Sequence, residues 1–389
     1  MKVSESARKW LDECVKGKSE RDVALLRTAV DVLYENTLQG EDMPWGNSPA
    51  TSPWSGATAG LWNWDSVFHA MTEARFDIPL AKSCIDSFVK FQCEDGMLPD
   101  CIHVDGRVLT HSSKPPVFPW GVLKVYEADG DEEFLKRNYG ALVKNEAFWR
   151  QKRYDGKLFF YSASYDVEKD NCLYARWESG WDDSPRWDNP PILDLWPVDL
   201  NCFMVLFYRS MKEIARILGE PHEEWAEREA DVSRKVEELL FDEAQNTYVD
   251  RNRLTGEFSR VLSPAGFMPL FVGIASAEHA RAMEAQASDP KKFFPGMPTV
   301  AYDDPAFSTQ YWRGQTWLNV AFFAVKGLWD YGYRETAGQI REFLLDMVYD
   351  NLSRGICENY DTVKRVGKFT ARFSWSAAFV IEFVLEMRE

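Results

Sequence analysis

The sequence predicts an all-α fold, and three observations carry that prediction. Apolar residues recur at steps of three and four along most of the chain, strand-like alternation is scarce, and the helices so marked come in pairs joined by short turns. No Ser/Gly-rich linker or low-complexity tract divides the 389 residues, so residues 1–389 read as one domain.

The helical pairs begin near Glu20. Asp77 and Pro79 open a helix with a capping carboxylate and a first-turn proline, and Ile85, Phe88 and Phe91 form its apolar side. Residues 158–161 are the best short strand candidate. From Leu200 the residues Phe203, Phe207, Met211, Ile214 and Leu218 mark a long helix that Gly219 and Pro221 end. Trp225, Val232, Val236, Leu239 and Leu240 mark the next. Residues 317–329 and 340–348 form a further pair about a turn at Gly332, and a last helix covers Ser374 to Met387. In all, about eleven or twelve helices are expected. Such a set suits a double ring of helices, the (α/α)6 barrel, whose inner helix ends line a pocket on one face. The periodicity fits an irregular helical bundle equally well.

Between the helices lie long stretches at 42–60, 98–119, 162–191, 293–316 and 354–372. Loops of this length in a compact domain usually carry function.

Composition narrows the partners. Lys+Arg number 45 against 61 Asp+Glu, a formal net charge of −16, which repels nucleic acid and anionic membrane surfaces. Seven cysteines without a CxxC pair argue against a disulfide framework, and the charged stretch from Met1 to Val15 lacks the apolar core of a signal peptide. A cytoplasmic protein acting on a small molecule is expected, in an oligomeric state the sequence leaves open. The 16 Trp point to the class of small molecule, because indole rings suit both core packing and the apolar C–H faces of sugars.

Four clusters in or beside the long stretches carry chemistry. Glu178-Ser-Gly-Trp-Asp-Asp-Ser-Pro-Arg-Trp-Asp188 offers four carboxylates and Arg186, bracketed by Trp181 and Trp187 and held out of a helix by Gly180 and Pro185. A carboxyl group beside indole rings is partly desolvated and keeps its proton near neutrality, as a general acid must; a solvated acidic loop paired with Arg186 reads as well. Ile356-Cys-Glu-Asn-Tyr-Asp361 holds Glu358 among mostly uncharged neighbours, either a general base or a structural glutamate near a helix end. Leu61-Trp-Asn-Trp-Asp-Ser-Val-Phe-His69 supplies Trp62 and Trp64 as a stacking wall and Asp65 as a hydrogen-bond acceptor, as the N-cap of a helix beginning at Ser66, or as both. Tyr311-Trp-Arg-Gly-Gln-Thr-Trp317 stands at the start of a helix.

These four strings, in this order, resemble the signatures of trehalases and their relatives, the processing α-glucosidase I and the mannosylglycerate and glucosylglycerate hydrolases. The likeness runs from about residue 60 to the end, and the compact length is closest to the sugar-glycerate hydrolases. It implies an (α/α)6 barrel and hydrolysis of a small α-glycoside with inversion, Asp182 acting as general acid and Glu358 as general base. Trp62, Trp64, Asp65, Glu178, Gly180, Trp181, Arg186, Tyr311, Trp312, Arg313, Gly314, Gln315, Trp317 and Trp375 then fall at or beside positions that hold the sugar. Two departures stand out: Lys114 precedes Pro115-Pro116 where the relatives carry Gln, and Arg372 precedes Phe373-Ser-Trp. Each cation either reads an anionic group of the substrate or pairs with a neighbour such as Asp65 or Glu178.

No metal or cofactor is expected: Asp183 beside Asp182 has no further carboxylate motif or histidine at ligand spacing. Two rival readings remain. A sugar epimerase on a helical toroid would need histidines as acid and base, and the five here are His69, His103, His111, His222 and His279, none near the end of the chain. A non-catalytic sugar-binding relative would not require both Asp182 and Glu358.

Overall fold

The computed structural model describes residues 1–56, 59–164 and 170–387, so the stretches at 42–60 and 162–191 lie partly outside the described residues. After helix α1 (Glu5–Cys14) the chain alternates between an outer and an inner layer. Outer α2 (Glu20–Glu35) leads to inner α3 (Asn63–Glu73), outer α4 (Ile78–Val89) to inner α5 (Phe118–Asp129). Outer α6 (Glu132–Lys152) is followed by the short α7 (Asn171–Ser179) and then inner α8 (Val198–Leu218). Outer α9 (Glu223–Leu240), inner α10 (Met268–Phe271), outer α11 (Ala277–Ser288), inner α12 (Leu318–Asp330), outer α13 (Arg334–Asp350) and inner α14 (Ser374–Glu386) complete the sequence.

Each inner helix packs against the next. α3 meets α5, α5 meets α8, then α10, α12 and α14 follow, and α14 returns to α3. The ring of six closes, and the fold is an (α/α)6 barrel. Sequence composition sorts the layers. α14 is buried at every position from Ser374 to Val384, as a helix apolar all round must be, whereas α9 buries only Trp225, Val232, Val236 and Leu240 along one stripe. One side chain seals the axis. The ring of Phe323 on α12 touches Phe68, Trp120, Phe203, Phe271 and Phe379, one aromatic from each of the other five inner helices, at centroid distances of 4.8–6.2 Å. The mouth at the N-terminal ends of the inner helices is therefore a blind pocket.

Several local expectations are corrected. Residues 158–161 form no strand beyond a single bridge between Tyr154 and Phe159, since the segment is tied instead to the side chain of Asn201. The motif beginning at Glu178 is not wholly outside a helix, because α7 runs to Ser179 before Gly180 ends it. Asp65 is not an N-cap: α3 starts at Asn63, whose side chain bonds the carbonyls of Leu98 and Pro99, and Asp65 falls in its first turn. The stretch 354–372 holds an antiparallel hairpin, Cys357–Asp361 with Val366–Ala371. Its turn uses Arg365 in the left-handed region rather than a glycine, so no turn dipeptide announces it. The helix at 268–271 is a bare turn, with Pro269 in its first positions and Gly273 just beyond.

Candidate active site

The long stretches lead into the N-terminal ends of inner helices, and the ring gathers those ends at one mouth. The start of α3 supplies Trp62, Trp64 and Asp65; the run before α5 supplies Lys114; the turn after α7 supplies Gly180 and Asp182. The run before α12 adds Tyr311, Trp312 and Trp317, and the hairpin leading to α14 adds Glu358, Thr370, Phe373 and Trp375. With Trp54 they line a hollow of about 220 Å3, the scale of one sugar ring.

Its wall is aromatic and rigid. Trp312 and Trp317 stack at 3.9 Å and 7° between planes, Trp317 leans on Trp375 at 5.4 Å, and Trp375 meets Trp64 edge-on at 5.2 Å. Trp54 and Trp62 stand together at 4.3 Å, with Phe373 against Trp54 at 5.9 Å. Gly180 admits Trp64: its φ is 73°, and a Cβ there would lie 2.3 Å from the indole.

Three carboxyl groups face this hollow. Burial pushes Asp182 up to about 6; the charge of Lys114 and a hydrogen bond from the Tyr311 hydroxyl (3.4 Å) pull the other way, and Asp100 adds to the rise. Burial lifts Asp65 further, to about 8, again opposed by Lys114. Glu358 is also raised by burial, but the backbone N–H of Thr370 donates to its Oε2 (3.3 Å) and favours the ionised form. Asp182 and Glu358 are near enough for the charge of one to raise the other.

Lys114 is spoken for. Its ammonium pairs with Asp100 Oδ1 at 3.2 Å and donates to the carbonyl of Trp177. Burial works against its charge, yet Asp100 and Asp182 outweigh that and raise its pKa. The expected pairing with Asp65 or Glu178 is thus replaced by one with Asp100.

Other expected site residues stand away from the hollow. Arg186 is fully buried, four of its five N–H donors divided between Asp199 and Asp250 at 2.8–3.0 Å and its plane sandwiched by Trp181 and Trp187, so it is built into the wall behind the hollow. Glu178 is also fully buried. Its carboxylate accepts from Arg153, Ser113 N and Ser162 N, which ties three loops together behind the pocket. Trp181 backs the wall, 5.1 Å from Trp312. Arg313 pairs with Asp188 and donates to the carbonyl of Asp183, while Gln315 donates to Thr309 O. At Gly314 a Cβ would lie 2.2 Å from Ser308 O. Arg372 points to the surface and pairs with Glu35. Asp183 accepts from Trp312 N at 3.0 Å.

Trp54, Asp100, Thr370 and Phe373 belong to the site but go unmarked in the sequence. Trp54 carries an aromatic signal within the stretch 42–60 and Phe373 one just past the stretch 354–372; Asp100 and Thr370 carry none, because only the fold brings them to Lys114 and Glu358. No histidine is among the residues lining the hollow. His69 is buried, held by Thr51 O and Ser374, and burial drives its pKa down to about 3, so it carries no charge near neutrality.

A second hollow of about 270 Å3 opens at the opposite mouth, floored by Phe68, Trp120, Phe271, Phe322 and Phe379. Its glutamates, Glu382 and Glu386, are both held by Arg75.

Comparison with known proteins agrees with this architecture. A mannosylglycerate hydrolase from Rubrobacter radiotolerans is 26% identical, with 84% of this chain and 90% of that protein covered. The crystal structure of a GH63 mannosylglycerate hydrolase from Thermus thermophilus in complex with glucose superposes with a TM-score of 0.78 at 24% identity, over 93% of this chain and 100% of that one. The neutral trehalase of Saccharomyces cerevisiae shares the fold at a TM-score of 0.72 and 18% identity, over 88% of this chain and 74% of that one. Among the described residues no helix is long and apolar enough to cross a membrane. The family model for the mannosylglycerate hydrolase MGH1-like glycoside hydrolase domain matches residues 58–376, and the chain belongs to that family of glycoside hydrolases.

Proposed function

We propose that this chain hydrolyses a small α-glucoside or α-mannoside with inversion at the anomeric carbon, Asp182 acting as acid and Glu358 as base. The observation that carries this reading is the pair itself: two desolvated carboxyl groups on one Trp-walled hollow, one raised to about 6 by burial, the other also raised by burial but accepting a hydrogen bond from Thr370 that favours its ionised form. In inverting glycosidases the acid protonates the departing oxygen, and the base draws a proton from water that attacks the opposite face through an oxocarbenium-like transition state. Asp65, protonated near neutrality, donates to a sugar hydroxyl, and the indoles of Trp62, Trp64 and Trp317 take the apolar faces. The likeness to mannosylglycerate hydrolases supports the choice of α-glycosides. All seven cysteines are thiols rather than disulfides, which fits a reducing, cytoplasmic setting.

The test compares Asp182→Asn and Glu358→Gln on alkyl and activated aryl glycosides, with the product anomer followed by NMR. Asp182→Asn is expected to lose roughly 10²–10⁴-fold on the alkyl substrate and much less on the aryl one, because a good leaving group needs little protonation. Equal losses on both would remove Asp182 from the acid role. A product that retains the anomeric configuration would exclude the inverting mechanism.

A further inference from the structure

We infer that Asp100 is a positioning residue for Asp182: it draws the Lys114 ammonium back against the last turn of α7, where this cation braces the turn bearing Asp182 without pairing with its carboxyl. The inference rests on the reading of Asp182 as the acid.

The first observation is how Asp100 is anchored. Its N–H donates to Leu109 O (2.9 Å), its C=O accepts from Asn63 N (3.0 Å), and its Oδ2 accepts from the Ser112 hydroxyl (3.2 Å). Its Oδ1 is left for Lys114 Nζ, at 3.2 Å. Lys114 is among the residues lining the hollow and Asp100 is not, so the carboxylate holds the ammonium from behind.

The second observation is what the ammonium does there. One of its three N–H donors goes to Trp177 O, which also accepts from Gly180 N at 3.1 Å. That carbonyl lies in the last turn of α7, where the helix dipole favours a cation. Gly180 then turns the chain at φ 73°, and Asp182 follows two residues later. Lys114 thus ties the run before α5 to the turn that carries Asp182.

The third observation is the company around Asp182. Lys114 faces it from the run before α5 with Asp100 behind, Tyr311 from the run before α12, Glu358 from the hairpin, and Asp183 from next door. Asp65 faces Lys114 from α3 and keeps its proton up to about 8. Among the described residues Lys114 forms no ion pair with Asp182, although after Asp100 it is the carboxyl whose charge acts on Lys114 most. Freed from Asp100, the ammonium has Asp182 as its next counter-ion. An opposite charge that close lowers a carboxyl by about one to three pH units.

The experiment measures the pH profile of kcat/KM on an alkyl and an activated aryl α-glycoside for wild type, Asp100→Asn, Asp100→Glu, Lys114→Gln and Asp100→Asn/Lys114→Gln. Asp100→Asn should move the alkaline limb down by about one pH unit or more. Near neutrality that is a loss of about tenfold on the alkyl glycoside, and less on the aryl one. Asp100→Glu keeps the charge that holds Lys114 and should keep the limb. Added to Lys114→Gln, Asp100→Asn should move the limb less than about half as far, since no ammonium is left to reach the acid. Equal shifts in the two backgrounds would mean that Asp100 acts by its own charge alone, which overturns the proposal, as does an unmoved limb in Asp100→Asn. A lowered limb in Asp100→Glu overturns it even where Asp100→Asn does not fold. Failure of the underlying acid reading has a different signature: an alkaline limb that survives Asp182→Asn.

Discussion

Asp182 shows how one side chain obtains its chemistry. Burial raises it, Lys114 restrains it, and the balance of about 6 sets the pH at which the proposed acid loses its proton. The alkaline limb of kcat/KM should therefore fall near pH 6. Lys114→Gln removes a cation that favours the ionised form, so the limb should move to higher pH; a limb that stays or moves down would detach Lys114 from the acid. Asp65 makes the opposite point about cost. Its carboxyl is raised from 3.8 to about 8 by burial, so between those values the folded protein holds a proton that the unfolded chain has released. The stability linked to that proton is fully present below pH 3.8 and is lost as pH rises through 8. Asp65→Asn, which cannot ionise, should melt higher than wild type near pH 8, by on the order of a few kcal/mol, and lose that advantage near pH 4. Thermal melts at the two pH values check it.

Two elements carry the site, and both are only partly legible in the sequence. The Glu178 motif reads there as a substrate contact because its carboxylate sits close along the chain to Trp181 and Asp182. The fold turns it inward from the end of α7, onto Arg153 and two loop N–H groups. Glu178→Ala leaves the Arg153 guanidinium buried without its partner, and such losses cost about 3–5 kcal/mol. A lower urea midpoint with Asp182 chemically intact is expected; an unchanged midpoint would refute the clamp. The hairpin that bears Glu358, the proposed base, is hidden in the sequence for a different reason. Both of its faces are partly buried, so polar and apolar residues do not alternate along Cys357–Asp361, and neither the bulge at Glu358 nor the turn at Arg365 carries a glycine. Its register is held from outside, by the paired bonds of Thr316 with Tyr360 at 2.8 and 3.0 Å, which fasten the hairpin to the run bearing Tyr311.

At the scale of the molecule, the ring is a device for convergence. Chain segments from residue 54 to 375 reach one mouth because every inner helix enters the barrel from the same side. Phe323 closes the axis beneath them, so the carboxyl groups above it are desolvated on one side and open on the other. That asymmetry raises Asp182 and Asp65 without removing them from a substrate's reach.

The amino-acid pattern alone determined the helical class and the stretches that would hold the chemistry. These depend on local periodicity and on which residues tolerate burial, both of which are written along the chain. Tertiary structure decided which charges remain available. Arg186, Glu178 and Lys114 look equally able to bind a substrate in one dimension, and only packing shows that Asp250, Arg153 and Asp100 already hold them. The physical reason is that a buried ion must find its counter-ion wherever the fold supplies one, at any separation in sequence.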